Sequence, residues 1–215
     1  MSPSFAHRLR RQFLVLAAGL AITVAVFLLT PREPGMARLS LGTAYAGLIL
    51  LGASLTIGPL NVIRGRGSPP SSNLRRDIGI FAGIFALVHM ALGLQVHLGG
   101  DMLSYFLRRH GDGVSLRLDA FGIANHLGLA ATLVLLLLLM LSNNLSLRWL
   151  KARRWKALQR SNYAVALLVL IHGALYQVLE RRRWSFVLLF LAVAAVVAAV
   201  QFTGFRRRRQ GEKPV

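Results

Sequence analysis

Six stretches of this 215-residue chain contain no Lys, Arg, Asp or Glu: 13–30, 39–63, 78–100, 120–147, 161–179 and 185–205. At about 1.5 Å of rise per residue, each as a helix crosses or nearly crosses a hydrocarbon layer about 30 Å thick. The expected fold is therefore an all-α, polytopic membrane protein. It is a single bundle of six transmembrane helices over about 13–30, 39–63, 78–98, 120–145, 161–179 and 185–205. A composition of 55% hydrophobic and 15% charged residues agrees with that class. The first run follows His7-Arg8-Leu9-Arg10-Arg11, as a secretory signal would, but it is long and lacks a small-x-small cleavage site, so it reads as a retained helix.

Lys and Arg number 26 against 7 acids, a net charge of +19. Such a balance in a soluble chain points to nucleic acid, yet here the cations border the runs. With the amino terminus inside, the inner segments 1–12, 64–77, 148–160 and 206–215 hold 18 Lys/Arg, and the outer segments hold 8. That asymmetry predicts cytoplasmic N and C termini and a membrane-lipid rather than nucleic-acid partner for the basic residues. Most acids fall outside, at Glu33, Asp101, Asp112, Asp119 and Glu180. No carboxylate is expected deep in a span, which argues against an acid-based proton relay or a cation transporter. Residues 65–72, rich in Gly, Pro and Ser, read as a flexible connector, 149–160 as a basic interfacial helix, and 206–215 as a basic tail.

There is no cysteine, so disulfides, thiolate metal sites, iron–sulfur clusters and thioether-linked haem are excluded. Chemistry inside the bundle falls to histidine. His7 and His110 sit in basic polar segments and read as solvated; His89, His97, His126 and His172 lie within apolar runs. An ionisable residue in a membrane span is a functional candidate by default. From helix rise, His89 lies roughly 20 Å above Arg76 and His172 roughly 18 Å above Arg160, both in the outer half and at matching depth. Two imidazoles at one level could clamp a planar cofactor from opposite faces, as a six-coordinate b-type haem requires. His126, about 10 Å below the outer boundary by the same rise, could replace one ligand, bond a propionate, or line a quinone pocket with Asn125. His97, about 12 Å higher than His89, is expected at the outer interface as a propionate or partner contact. Gly79, Gly83, Gly93 and Gly173 would let a porphyrin or a neighbouring helix approach closely.

Arg75-Arg76-Asp77-Ile78-Gly79, then Ala86-Leu87-Val88-His89-Met90, then Arg153-Arg154-Trp155-Lys156-Ala157-Leu158-Gln159-Arg160 with Tyr163 and His172, resemble the ferric reductase-like transmembrane domain. Within it, the size and layout are similar to the haem-binding membrane subunits of bacterial methionine sulfoxide reductase systems. The resemblance covers about residues 39–205 and rests mainly on 148–172. Members of the larger type hold two stacked haems between His pairs 13 or 14 residues apart in the third and fifth helices. Carried over, His89 and His172 match the outer ligands, while Arg75 and Gln159 stand at the inner positions. The resemblance thus implies a single b-type haem in the outer half. The related subunits commonly carry a His where Gln159 stands here, a departure from their pattern.

The larger members also append a flavin and nicotinamide domain. No Gly-rich strand-to-helix fingerprint occurs here, and the ten residues after Phe205 cannot bind a dinucleotide. The resulting expectation is an electron-transfer subunit of the bacterial inner membrane. It would take electrons from a quinol or a separate flavoprotein and pass them to an outer acceptor protein. Two other readings remain at this point: a cofactor-free structural or assembly subunit with the same bundle, and a divalent-metal transporter using His89, His126 and His172.

Overall fold

The computed structural model describes residues 3–65, 70–111 and 113–211. Part of the Gly/Pro-rich connector (66–69), Asp112 and the last four residues of the basic tail lie outside the described residues. Among the described residues seven α-helices follow one another: α1 (Pro3–Leu29), α2 (Gly35–Ile63), α3 (Pro70–Gly93), α4 (Ala120–Met140), α5 (Asn144–Gln159), α6 (Asn162–Leu179) and α7 (Trp184–Gly211). Six segments of the described residues are long and apolar enough to cross a membrane: α1, α2, α3, α4, α6 together with the end of α5, and α7. The chain is a multi-pass membrane protein with an all-α bundle.

Helix ends depart from the apolar runs for local reasons. α1 begins ten residues before its run, because Arg8, Arg10 and Arg11 favour helix and Arg11 finds a partner. α3 stops at Gly93, well before Gly100. Leu98, Gly99 and Gly100 take φ of 56°, 62° and 82°, left-handed values that no right-handed helix contains. The segment after them, expected as loop, forms an antiparallel hairpin, β1 (Leu107–His110) with β2 (Gly113–Leu116), pairing Leu107 with Leu116 and Arg109 with Val114. Asp119 caps α4 by accepting from the Gly122 N–H at 2.7 Å, and Asn143 caps α5 by accepting from Ser146 N–H at 2.7 Å.

α2 is the central helix, packed against α1, α3 and α7, while α4 packs chiefly on α6. The main core joins Ala46, Leu50, Leu51 and Leu55 of α2 to Phe85 of α3, Leu135 and Leu138 of α4, and Val165 of α6. Buried polar side chains of these helices, Asp77, Ser54 and Thr23 among them, find hydrogen-bond partners, as hydrocarbon surroundings favour. Asp77, 2% exposed at the N-terminal end of the bundle, accepts from Arg11 Nε at 2.5 Å and joins α3 to α1. Pro59 interrupts α2: it has no N–H to give to the Leu55 carbonyl one turn back. Gln201 of α7 supplies the missing donor, its Nε2 lying 2.9 Å from Leu55 O. Gly204, one turn further along α7, lets that helix lie against the proline; a Cβ there would come within 2.6 Å of Pro59 Cβ.

Candidate cofactor site

His89 on α3 and His172 on α6 face one another across a cavity, their ring centroids 6.3 Å apart and the ring planes at 69°. Each ring is held by a helix other than its own. His89 Nδ1 lies 2.9 Å from the Ser40 carbonyl and 3.2 Å from Ser40 Oγ, both on α2. His172 Nδ1 lies 2.7 Å from the Ala124 carbonyl of α4. A carbonyl can only accept, so in each neutral ring the proton resides on Nδ1 and the Nε2 lone pair is left for a metal. With nitrogen–metal bonds of about 2.0–2.1 Å and about 1.1 Å from nitrogen to ring centre, one metal between two opposed imidazoles sets their centroids about 6.2–6.4 Å apart. The observed separation matches. Ring planes are free to rotate about that axis, so the 69° angle is compatible. In separation and in the nitrogen left free on each ring, the histidine pair therefore fits a bis-imidazole metal group.

Around the pair the cavity leaves about 200 Å³ in which a water-sized sphere can move its centre. One water needs only about 10–15 Å³ by that measure, so this is space for an organic group rather than a hydration site. Its walls are mainly hydrocarbon, from Ala44, Leu48 and Leu51 of α2, Ala82 and Ala86 of α3, Leu129 and Leu135 of α4, and Val169 of α6. Polar groups gather toward the hairpin end: His97, Arg182, Tyr45, Gln177, Asn125 and Tyr176. Tyr45 donates to Phe186 O at 2.7 Å and accepts from Gln177 Nε2 at 3.0 Å, which ties α2, α6 and α7 together. Gln177 Oε1 is buried with no hydrogen-bond partner among the described residues. Tyr176 donates to Asn125 Oδ1 at 2.9 Å and packs its ring, tilted by 51°, against His172 at 4.9 Å between centroids. Arg182, in the turn after α6, is 15% exposed; its acidic neighbour Glu180 stands 3.9 Å away.

The cavity is roofed by the segment after α3. Tyr105, fully buried, accepts from His97 N–H at 2.7 Å and its hydroxyl lies 3.0 Å from the Gly93 carbonyl. Burial pushes its phenol pKa up, so it remains a neutral hydrogen-bonding group. His97 Nε2 meets Glu180 Oε1 at 2.9 Å.

Of the four histidines singled out in the sequence, three border the cavity. The structure does not bring His126 to the pair: it stands outside the cavity lining, against the Phe106 ring at 5.6 Å, with Nε2 buried and unpartnered. No group of three or more His, Asp or Glu that could hold a metal ion exists among the described residues, so the three-histidine layer of a transporter does not form. Gly79 has open space beside it, Gly83 admits Leu135 and Leu139, Gly93 touches Ser40 Oγ and His89, and Gly173 admits Phe190. Sequence reasoning missed Gly128 of α4, which lies against the His172 ring. A Cβ there would meet His172 Cε1 and Nδ1 at 2.9 Å. It also missed Ser40 and Ala124, and did not single out Arg182 from the other outer-side arginines. Carbonyl anchors leave no residue-type signal, and an arginine among three in a loop has none that separates it from its neighbours.

Residues 41–171 match the family described as ferric reductase like transmembrane component. The chain is also 30% identical over 169 residues to the protein-methionine-sulfoxide reductase heme-binding subunit MsrQ of Rhodospirillum rubrum, covering 78% of this chain and 74% of that one. It is 32% identical over 132 residues to the magnetosome protein MamZ of Magnetospirillum gryphiswaldense, 60% of this chain but 18% of that much longer protein.

Proposed function

This chain belongs to the family of ferric reductase-like transmembrane components, and on that premise we propose that it is a membrane electron-transfer subunit holding one b-type haem between His89 and His172. The observation that carries the proposal is the 6.3 Å separation of two imidazoles whose Nδ1 atoms are both engaged. The relative named as a heme-binding subunit supports the choice of group. Bound there, haem supplies a one-electron carrier whose potential responds to axial ligands and burial.

The chain's own residues do the rest. The Ser40 and Ala124 carbonyls fix the tautomer and the aim of the two rings, so that little ordering is needed when a metal arrives. Hydrocarbon walls exclude water. Arg182, the arginine on the cavity wall, is the cation suited to the carboxylates of the group, with His97 nearby. His126, outside the lining, has no part in ligation. Gln159 and Arg75, at the positions of a second ligand pair in larger relatives, are not haem ligands, and one haem is the stoichiometry this reading requires.

The charge asymmetry orients the proposal: basic ends inside the cytoplasm of a bacterial cell, the hairpin end outside the inner membrane. The pair then lies in the outer half. A quinol, or else a separate flavoprotein, donates the electron, and an outer protein accepts it.

The test is spectroscopic. Protein purified after expression with ample haem supply should show a low-spin Soret band with one haem per chain. His89→Ala and His172→Ala should each lose it or retain only a weakly bound high-spin species. Full low-spin haem in both variants would refute the ligand assignment, and no Soret band in the parent would refute the cofactor.

A further inference from the structure

Eight residues beyond each cavity histidine, past the ends of α3 and α6, the chain brings together a second pair: His97 follows His89, and Glu180 follows His172. His97 Nε2 and Glu180 Oε1 are 2.9 Å apart, with side chains only 31% and 23% exposed. We propose that His97 and Glu180 form a brace that sets the distance between α3 and α6, and through it the span between the His89 and His172 rings. This deepens the proposed haem reading without depending on it, because the brace acts on the protein's own walls.

The packing shows why a brace is needed. The principal partner of α3 is α2 and that of α6 is α4. α3 and α6 face each other over the cavity rather than filling it, so their spacing is set at the cavity's two ends. At the N-terminal end, the core of Phe85, Leu135, Leu138 and Val165 and the Arg76 Nε bond to Ser142 O at 2.9 Å hold the walls. At the hairpin end, His97 with Glu180 ties the α3 side directly to the α6 side. His97 is itself held: Tyr105 OH accepts from its N–H, and its ring packs on Phe121 at 5.7 Å. Glu180 caps the C terminus of α6 with its backbone N–H on Tyr176 O.

A second observation, from the backbone, supports the same conclusion. The residue after each brace member is a non-glycine in the left-handed region, Leu98 at φ 56° and Arg181 at φ 44°. Such conformations carry a conformational cost and persist where surrounding contacts over-determine them. Here the backbone reverses into the left-handed region directly after each anchoring side chain, at Leu98 and at Arg181, which fixes where the two side chains meet.

His97 and Glu180 are thus positioning residues, and the experiment reads distance rather than turnover. The absence of cysteine allows a clean double label: Gln95→Cys and Val178→Cys, both exposed, carry spin labels on the two walls. In the haem-free protein, Glu180→Ala should broaden and lengthen the pulsed dipolar distance distribution. Glu180→Gln, which keeps an acceptor for the His97 Nε2–H, should restore most of the native distribution. His97→Ala should match Glu180→Ala, and the double variant should add little beyond either, as coupled partners do. In haem-loaded protein the same Ala variants should make displacement of an axial ligand by added imidazole about tenfold easier, or about 1.4 kcal/mol. Distance distributions unchanged in Glu180→Ala and His97→Ala would overturn the brace even if haem binds as proposed. A broadened distribution in a chain that never binds haem would uphold the brace and refute the haem. If Glu180→Ala does not accumulate, His97→Ala gives the same reading, with Glu180→Gln as its near-native control.

Discussion

Gln201→Leu tests the claim that α7 completes a helix other than its own. The Leu55 carbonyl has lost its donor to Pro59 and takes Gln201 Nε2 at 2.9 Å. With leucine at 201 that carbonyl is left unpaired in the core. A buried unsatisfied acceptor costs about 1–3 kcal/mol, and interhelical hydrogen bonds in membrane proteins average about 0.6 with a maximum near 1.7. The unfolded helices in a bilayer have no better partner for a carbonyl exposed by proline, so the upper part of that range applies. The expected loss is about 1.5 kcal/mol, a little over tenfold in the docked-to-undocked ratio of α7. Denaturant unfolding of purified protein in mixed micelles measures the total, and hydrogen exchange along α7 locates it. The decisive arm is a cycle with Pro59→Ala, which returns an N–H at position 59 for Leu55 O. In that background Gln201→Leu should cost close to nothing. An equal cost in both backgrounds would show that Gln201 acts by packing and not by completing α2.

Two further outcomes follow from geometry already described. Gly128→Ala places a methyl where the His172 ring lies, 2.9 Å from Cε1 and Nδ1, so the ring must leave the Ala124 carbonyl. Haem retention should fall with little change in thermal stability, and an unchanged Soret band would mean that α6 can yield without moving the ring. Asp119, outside the spans, has its carboxyl held below the usual carboxylate range, first by the Gly122 N–H and then by Arg108 and Arg117. A depressed folded-state pKa contributes stability that is present above the unfolded carboxylate pKa, near 4, and lost as pH falls through the lower folded value. Proteolysis of the hairpin should therefore accelerate under strong acid in the native protein, and Asp119→Asn should be cleaved faster already at neutral pH with a flatter acid response.

The six spans were legible because hydropathy is a property of single residues summed along one segment. The meeting of His89 and His172 was legible as far as depth goes, since rise per residue fixes level. Rotation is another matter. His126 shares that level, yet Ala124, Asn125 and Gly128 face α6 while His126 turns to Phe106. A run as uniformly apolar as 120–140 has no polar face from which to read that rotation. The end of α3 at Gly93 and the hairpin beyond it were equally hidden, because they depend on three consecutive left-handed residues and on Tyr105, whose partners lie across the roof. The eight-residue spacing from each cavity histidine to His97 and Glu180 was present in the sequence all along. It acquires meaning only once α3 and α6 are seen as opposite walls.

That each imidazole is anchored by the helix next to its own in packing has a consequence for biogenesis. Ser40 and His89 both lie within the first 93 residues, on α2 and α3; Ala124 and His172 both lie within 120–179, on α4 and α6. A chain inserted from its amino terminus can aim one imidazole before the second half has left the ribosome, and the later half can aim the other by itself. Each half is a finished jaw, and the binding site comes into being only when the two jaws are joined.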